Sequence, residues 1–429
     1  MTEELLASHV SEDQLIGQAM MTPEEVIFQS TESGITPEWF SQLEAQKTYA
    51  VLLDMYINGH PISLPAVMEK ITEKRLKVQV EYLQGCVDLT PVHNLSPIIG
   101  KLKEYHMRRE MLVRARNLKT LARTLEVPPE ESIGKEICGL ADLTVTHQRM
   151  SLEQIKKAII DRYRAVANGG TAGLPTPWPT LNKYIGGLVP KRVTIFGGRT
   201  SLGKSMASAN LAYNLAKSNI PVGYLTFEDG VEVTWARIGG MNGKYSTYMM
   251  DTQPRPDQVS YAEQHIEEVM KYPIFMEDRP MKIEQIRAWA IHQHVRNDIK
   301  LLIIDAFKDI RKEERSTSEE DEISQSITEI ARSLNIPVWV SHHIRKAGTD
   351  NRRDKLTGDD IKGSSNITAD CRQLILLQNW TENDVMKFSF EIVKNSNGPA
   401  GMSIPMERKS NINTWEELKV DTNSENKEY

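Results

Sequence analysis

Gly198-Arg199-Thr200-Ser201-Leu202-Gly203-Lys204-Ser205 is a complete G-x4-G-K-S, and it lies between two contrasting stretches. Before it comes the β-branched run RVTIF (192–196); after it comes the helical run MASANLAYNLAKS (206–218). In that strand–loop–helix setting the glycines let the backbone curl so that amide hydrogens point inward at a triphosphate. The helix that follows adds the positive end of its dipole. Lys204 is placed to reach the β and γ phosphates, and the Ser205 hydroxyl to hold Mg²⁺. A chance match in a glycine-rich turn is the competing reading, and the context on both sides weighs against it.

A loop of this kind needs an acid to support the metal and a group to activate water. Leu301-Leu302-Ile303-Ile304-Asp305 is four apolar residues ending in one carboxylate. Asp305 is therefore expected to hold Mg²⁺ through water, close to Ser205; an N-cap aspartate after a buried strand is the plainer alternative. Glu228 ends YLTFE, at the tip of the next strand after the loop, where its carboxylate is placed to orient and deprotonate water. Taken alone, a surface acid is the commoner role for such a glutamate. ATP and Mg²⁺ are the expected cofactors.

Outward from the loop, short buried runs alternate with helical text: RVTIF, PVGYLTF, LLIID, PVWVS, RQLILL and KFSFEIV. That alternation predicts an α/β fold with a mostly parallel sheet covered on both faces. Toward the N-terminus the text turns helical, from Glu12 to about Arg123, with apolar positions such as Leu52, Leu53, Tyr56 and Ile57 at helical spacing. Turn signals at Thr22-Pro23, Thr36-Pro37, Gly59-His60-Pro61 and Thr90-Pro91 cut it into short helices. The basic stretch from Lys101 to Arg123 reads as a solvated helix face in preference to a nucleic-acid contact.

Pro128 and Pro129 mark a hinge, and Ser151 to Ala167 predicts an amphipathic helix capped by Ser151. Standing between two domains, that helix must dock its apolar face on something, another subunit being one candidate. The expected organisation is an all-helical N-terminal domain (1–125), a hinge and linker helix (126–172), an ATPase domain (173–420) and a disordered tail (421–429).

Composition narrows the class further. No apolar run approaches the roughly 20 residues that cross a bilayer, and the acidic N-terminus lacks the order of a secretory signal. Cys86, Cys138 and Cys371 are far apart, which reads as a reduced, cytoplasmic set without a zinc site. A net charge of −6 speaks against a protein that coats nucleic acid everywhere, though one basic channel is compatible with it.

The motifs and their order resemble the DnaB family of replicative helicases over nearly the whole chain. GRTSLGKS is similar to that family's arginine-containing phosphate loop, and GLPTPWPTLNKYIGGL (173–188) to its lead-in. TFED with Arg237 resembles the segment bearing the family's catalytic glutamate, and LLIIDAFKDI its Walker B segment. SHHIRK followed by DDIKGSS is similar to a sensor strand and a DNA-binding loop. EDQLIGQAMM, WFSQLEAQKTYAVLLDMYINGHPISLPAV and YLQGC resemble the family's N-terminal domain.

The resemblance implies a RecA-like P-loop NTPase fold and a homohexameric ring. It implies ATP hydrolysis between subunits, driving movement along single-stranded DNA, 5′ to 3′, and unwinding of forked duplex. It also implies that the helix around Ile155 to Tyr163 packs on a neighbouring motor domain, with primase and a helicase loader as further partners. The DNA-facing loop corresponds to Lys362, Gly363, Ser364 and Ser365; a lysine among small residues can hold phosphates without reading bases. Arg311 and Lys312, after Asp305, are weaker candidates for the same channel, a solvated loop being the alternative.

Two positions depart from the pattern. The sensor strand usually ends in Ser-Gln, whereas here Ser341 is followed by His342 and His343; position favours His342 as a γ-phosphate sensor. In KNSNGPAG (394–401), Lys394 matches a family lysine that reaches the neighbour's ATP site, but the arginine expected two residues later is Ser396. Lys394 alone, another arginine, or a slow ATPase would each be compatible. The histidine-bearing strand and the shortened pattern resemble bacteriophage relatives, which implies a bacterial host cytoplasm. The competing function is a RecA-like ATPase that assembles on single strands without unwinding, and a third is a nucleotide-dependent scaffold or loader partner.

Overall fold

The computed structural model describes residues 8–89, 94–123, 136, 152–312, 317–344, 371–396 and 398–418. The chain divides into two compact units, Met1–Leu152 and Glu153–Tyr429. Apart from Glu136, the hinge text at 126–150 lies outside the described residues, as do the tail at 421–429 and the loop carrying Lys362, Gly363, Ser364 and Ser365.

The first unit is helical: α1 (His9–Met21), α2 (Pro23–Glu32), α3 (Leu43–Ile57), α4 (Leu64–Glu73), α5 (Val80–Val87) and α6 (Ser96–Leu121). Breaks fall at Thr22-Pro23, Thr36-Pro37 and Gly59-His60-Pro61; the α4–α5 break carries no such signal, and Thr90-Pro91 lies outside the described residues. Pro23 opens α2 and Pro65 sits in the first turn of α4, where the missing N–H costs nothing. Leu15, Ile16, Tyr49, Leu52 and Leu83 form the core. Helices α1 and α5 touch through Gly17, where a Cβ would stand 1.9 Å from the Cys86 carbonyl oxygen. Glu12 is fully buried, and its carboxylate accepts from Ser41 N at 2.8 Å, Ser41 Oγ at 2.6 Å and Gln42 N at 3.0 Å. Those donors precede α3, so the carboxylate sits where a helix start favours negative charge. On basic α6, Arg108 pairs with Glu104 at 2.7 Å and Arg114 with Glu136 at 3.3 Å, and the helix as a whole keeps a positive charge.

The second unit opens on α7 (Leu152–Ala167), followed by α8 (Pro179–Ile185), β1 (Val193–Gly198), α9 (Lys204–Lys217), β2 (Val222–Thr226), α10 (Val231–Gly243), α11 (Thr247–Thr252) and α12 (Pro256–Val269). Then come β3 (Ile274–Glu277), α13 (Ile283–Asn297), β4 (Leu301–Asp305), α14 (Thr317–Ser333), β5 (Val338–His343), β6 (Gln373–Glu382), β7 (Val385–Asn395), β8 (Met402–Lys409) and β9 (Thr414–Glu417). Among the described residues these strands form one sheet ordered β3-β2-β4-β5-β1-β6-β7-β8-β9. The pairs from β3 through β6 are parallel and the rest antiparallel.

The strand residues alternate between two buried faces, as the pleat requires. Phe196, Leu301, Ile303 and Trp339 join the cluster that includes α9. Their neighbours Ile195, Leu302, Ile304 and Val340 are equally buried but outside that cluster. This explains the unbroken apolar runs. The aromatic side chains Trp178, Phe196, Trp339 and Phe390 interlock at centroid separations of 5.0–6.3 Å, which ties the lead-in segment to the sheet. Three strands add to those expected: β3 at the parallel edge, and β8 and β9 in the antiparallel extension beyond β7. IFME is short and half-buried, β8 contains Pro405, and TWEE is short and half acidic.

Candidate nucleotide site

Parallel pairing brings the C-terminal tips of β1, β2, β4 and β5 to one edge of the sheet, the crevice where ligands bind in open α/β folds. Thr226 is in register with Asp305, and Gly198 with His343. The Asp305 carbonyl accepts from Phe227 N at 2.7 Å and Glu228 N at 3.3 Å. Two separate segments, one ending in Glu228 and one in Asp305, are thereby locked by backbone bonds.

The loop from Gly198 to Ser205 wraps this edge. Gly203, the residue before α9, has φ +104, and a Cβ there would meet Trp415 Cζ2 at 3.3 Å. Trp415 Nε1 donates to the Gly203 carbonyl at 3.0 Å, so β9 closes over the loop from the far end of the sheet. Lys204 is buried, 3% exposed; its Nζ donates to the Arg199 carbonyl at 2.9 Å and approaches His343 Nδ1 at 3.4 Å. Burial pulls the Lys204 amine below its ordinary value, with Lys308 adding to the effect and Glu228 and Asp305 opposing it. Thr200 Oγ1 also lies 3.4 Å from His343 Nδ1, and the Ser201 carbonyl faces Arg408 Nη1 at 3.5 Å. Leu202 packs into the core cluster.

Asp305 is buried, and Tyr224 Oη donates to its Oδ2 at 3.2 Å. Burial pushes the carboxyl up to about 6, against the pull of the Ser341 and Ser205 hydroxyls. Its Oδ1 has no hydrogen-bond partner. A buried, unpartnered carboxylate oxygen near Ser205 fits a divalent cation, whose charge would offset the desolvation. One carboxylate and the neighbouring Ser205 hydroxyl are hard oxygen donors, a set that suits Mg²⁺ completed by phosphate oxygens.

Glu228 and His343 meet at 2.9 Å, Oε2 to Nε2, and Lys308 Nζ stands 3.5 Å from Glu228 Oε1. Burial opposes ionisation of Glu228, but His343, Lys308 and Lys204 hold its carboxyl below the usual value. Burial also lowers the His343 imidazole, against the pull of Glu228. In the neutral tautomer with its proton on Nε2, the ring donates to Glu228 and its Nδ1 can accept from Lys204; a second proton would make the contact an ion pair.

The expectation that favoured His342 meets a different geometry. Successive strand residues face opposite ways, and His343 is the one that turns toward the loop. His342 is buried beside Phe307, ring centroids 5.2 Å apart; burial drives its imidazole down to about 4.

A cleft of about 420 Å³ opens beside the loop, lined in part by Lys204, Ser205, Glu228, Arg237, Tyr248 and Arg408. Arg237 Nη1 pairs closely with Asp229 Oδ2. Burial works against the guanidinium, yet that partner raises it above its ordinary value. Sequence reasoning missed Asp229, Tyr248, Arg408 and Trp415. TFED carries Asp229 next to Glu228, a signal that was available; nothing local marks Arg408 or Trp415, which reach the site only through β8 and β9. Lys394 lies in β7, outside this cleft. Lys312 is partly buried, ion-paired to Glu320 at 2.6 Å and set over the Phe307 ring. It is held by its own fold, whereas Arg311 is exposed.

Comparisons with known proteins fit this geometry. The family described as DnaB-like helicase C terminal domain matches residues 173–417, and the DnaB-like helicase N terminal domain matches 4–104. The chain is 22% identical to the replicative DNA helicase DnaC of Bacillus subtilis over 420 residues, covering 91% of this chain and 90% of that protein. It is likewise 22% identical to the replicative DNA helicase DnaB of Geobacillus stearothermophilus over 413 residues, with the same shares covered. A solved DnaB-like replicative helicase, described with its interactions with primase, superposes at TM-score 0.65 and 16% identity over 96% of this chain and all of that one. A second solved structure, described as an ATPase domain, superposes at TM-score 0.54 and 16% identity over 62% of this chain and 99% of that domain.

Proposed function

The chain belongs to the DnaB-like helicase family, ATP-dependent DNA helicases, and on that premise we propose that it hydrolyses ATP to move along single-stranded DNA and unwind duplex at a replication fork. The observation that carries the reading is the convergence of Lys204, Asp305, Glu228 and His343 on one edge of the sheet. Lys204 and the loop amides bind the β and γ phosphates, and Arg237 stands beside them in the cleft. Ser205 and Asp305 would hold Mg²⁺, which would supply charge neutralisation at the phosphates. Glu228, ionised and at the cleft's mouth, takes the proton of the attacking water. His343 links that carboxylate to the loop, so phosphate binding at Lys204 is felt at Glu228.

Two features support a ring with sites between subunits. The chain matches the family over both of its domains. Also, α7 leaves Ile155, Ile159, Tyr163 and Val166 exposed along one stripe, the spacing of a helix that buries this face on a second copy. A homohexamer, translocation 5′ to 3′, a strand-holding loop at Lys362 to Ser365, and primase and loader partners complete the proposal. So does a bacteriophage gene acting in a host's cytoplasm. No helix among the described residues is long and apolar enough to cross a membrane.

The alternative, an ATPase that assembles on single strands without unwinding, is favoured by one residue, Ser396 in place of the finger arginine. Unwinding of a forked duplex with ATP, beside a Lys204→Ala control, tests the assignment. ATP-dependent strand separation lost in the control is the expected result. Separation that survives Lys204→Ala overturns the motor reading, and hydrolysis without separation establishes the alternative.

A further inference from the structure

Carboxylates crowd the edge of the sheet where the triphosphate is expected. Asp229 is taken up by Arg237, and Asp305 accepts from Tyr224 and faces the Ser205 hydroxyl. Glu228 is the one that the proposed reaction brings against the γ phosphate. Two anions at that range repel unless a cation stands between them. The cation that pairs with Glu228 is Lys308, a residue to which neither the phosphate loop nor the Walker B strand assigns a task.

The backbone that carries Lys308 is pinned, while its side chain is left in solvent. Strand β4 runs into a tight turn in which Asp309 N donates to the Ala306 carbonyl at 3.0 Å. Phe307 and Ile310, on either side, are each 2% exposed, and Arg311 N donates to the Met281 carbonyl at 2.9 Å. The Lys308 side chain between them is 46% exposed.

Its grip on the acids is loose. Nζ stands 3.5 Å from Glu228 Oε1 and 3.9 Å from Asp309 Oδ2, against the roughly 2.7–2.9 Å of a tight ammonium–carboxylate bond. Lysines elsewhere in the chain do close that gap: Lys312 on Glu320 and Lys300 on Asp298 both stand at 2.6 Å. Asp309 Oδ2 is buried and accepts no hydrogen bond, so neither acid holds the ammonium firmly. Exposed pairs of this kind are weak, and a triphosphate, with its larger charge, competes for the ammonium on favourable terms.

The distance to cover is short. Glu228 lines the cleft, and Lys308 stands one contact farther out, with its charge felt at Lys204. An attacking water lies within about 3 Å of its base and about 3–3.5 Å from the γ phosphorus. A shift of a few ångströms, within the sweep of a flexible four-carbon stem, brings the ammonium to the γ oxygens.

We propose that Lys308 is a γ-phosphate cation supplied by the same chain as the loop: it rests on Glu228 before nucleotide arrives and passes to the γ oxygens when ATP binds. The proposal rests on the reading of Glu228 as the base. The transfer screens that carboxylate from the phosphate and holds the charge gathering on the γ oxygens in the transition state. Lys308 enters no covalent step. The water oxygen bonds to the γ phosphorus, the bond from that phosphorus to the ADP oxygen breaks, and the proton passes to Glu228.

The test is equilibrium binding of ATP and of ADP, each with Mg²⁺, to the full chain, read by competition with a fluorescent nucleotide. It is run in a Glu228→Gln background, where hydrolysis is slow and the carboxylate charge is gone. There Lys308→Met is expected to weaken ATP by about 10- to 100-fold and ADP by less than about twofold. Lys308→Arg, which keeps the charge, keeps most of the preference for ATP. With Glu228 intact, Lys308→Met lowers kcat by about 100-fold at an unchanged melting temperature.

Equal loss of ATP and ADP affinity, or loss of neither, overturns the proposal. So does an effect of Lys308→Met that appears with Glu228 intact and vanishes in Glu228→Gln, which would confine the lysine to holding the carboxylate. A Lys308→Arg protein as weak for ATP as Lys308→Met overturns it too. Glu228→Gln that hydrolyses ATP at the wild-type rate overturns the reading of Glu228 itself, an outcome distinct from slow hydrolysis with an ATP affinity indifferent to Lys308.

Discussion

His343 Nε2 lies 2.9 Å from Glu228 Oε2 while its Nδ1 lies 3.4 Å from Lys204 Nζ, so one ring bridges the carboxylate proposed to activate water and the phosphate loop. Replacing His343 with Ala is expected to cut kcat by about 10- to 100-fold while ATP binding persists, since the carboxylate loses the group that orients it. Glu228→Gln, which removes the base, falls further, by roughly 10²- to 10⁴-fold. His342→Leu retains the rate. Single-turnover hydrolysis measures all three, and a His342→Leu protein slower than His343→Ala would reverse the assignment within the pair.

His342 makes stability depend on acid. Its folded-state value is about 4, against 6.5 for the free imidazole. Between those values the unfolded chain binds the proton and the folded chain does not, so stability is fully present above pH 6.5 and declines as pH falls toward 4. The loss amounts to at most about 3 kcal/mol. Thermal melts of wild type and His342→Leu from pH 7.5 to 4.5 report it; parallel curves would show that His342 contributes nothing.

Trp415 joins β9 to the phosphate loop through its bond to the Gly203 carbonyl. Trp415→Phe keeps most of the packing and loses that bond, so ATP is expected to bind several-fold more weakly with a nearly unchanged melting temperature. Trp415→Ala also opens the core and costs about 3–5 kcal/mol. Equal ATP affinity in Trp415→Phe and wild type, by fluorescent-nucleotide titration, would separate the tryptophan from the site.

How much of this was legible in the sequence depended on how local each signal is. GRTSLGKS, LLIID and YLTFE carry their meaning within a few residues, and the structure brings Lys204, Asp305 and Glu228 to one edge as read. The helices of the first unit were legible for the same reason, because Thr22-Pro23, Thr36-Pro37 and Gly59-His60-Pro61 each fall at a helix break. The choice between His342 and His343 was not, since it turns on which way a two-residue repeat faces in β5. Arg408 and Trp415 stayed hidden because their role arises from antiparallel pairing far down the chain. Gly17 resembled any helix glycine until Cys86 was seen against it.

Glu12 offers a test of the helical unit. Glu12→Ala leaves Ser41 N, Ser41 Oγ and Gln42 N without their acceptor, at a cost on the order of 3 kcal/mol. Glu12→Gln keeps one acceptor oxygen and is milder. Circular dichroism melts of the full chain are expected to show the Ala variant losing its helical unit at a lower temperature, and unchanged melts would contradict the burial argument.

Lys312 and Lys362 are expected to differ in DNA binding. Lys312 is engaged by Glu320, so Lys312→Ala leaves single-strand affinity unchanged. Lys362→Ala weakens it and makes the slope of log affinity against log salt shallower by about one contact's share. Fluorescence anisotropy across a salt series distinguishes them, and the opposite ranking would move the strand to the loop after Asp305.

Trp415 follows Gly203 by 212 residues, and this sets an order of events on the ribosome. The glycine turn emerges early, but the indole that braces it is translated long afterwards. A nascent chain halted before β9 would hold its turn without a brace, so nucleotide binding matures only near the end of synthesis. A chain released before β9 is therefore expected to bind nucleotide several-fold more weakly than the finished one.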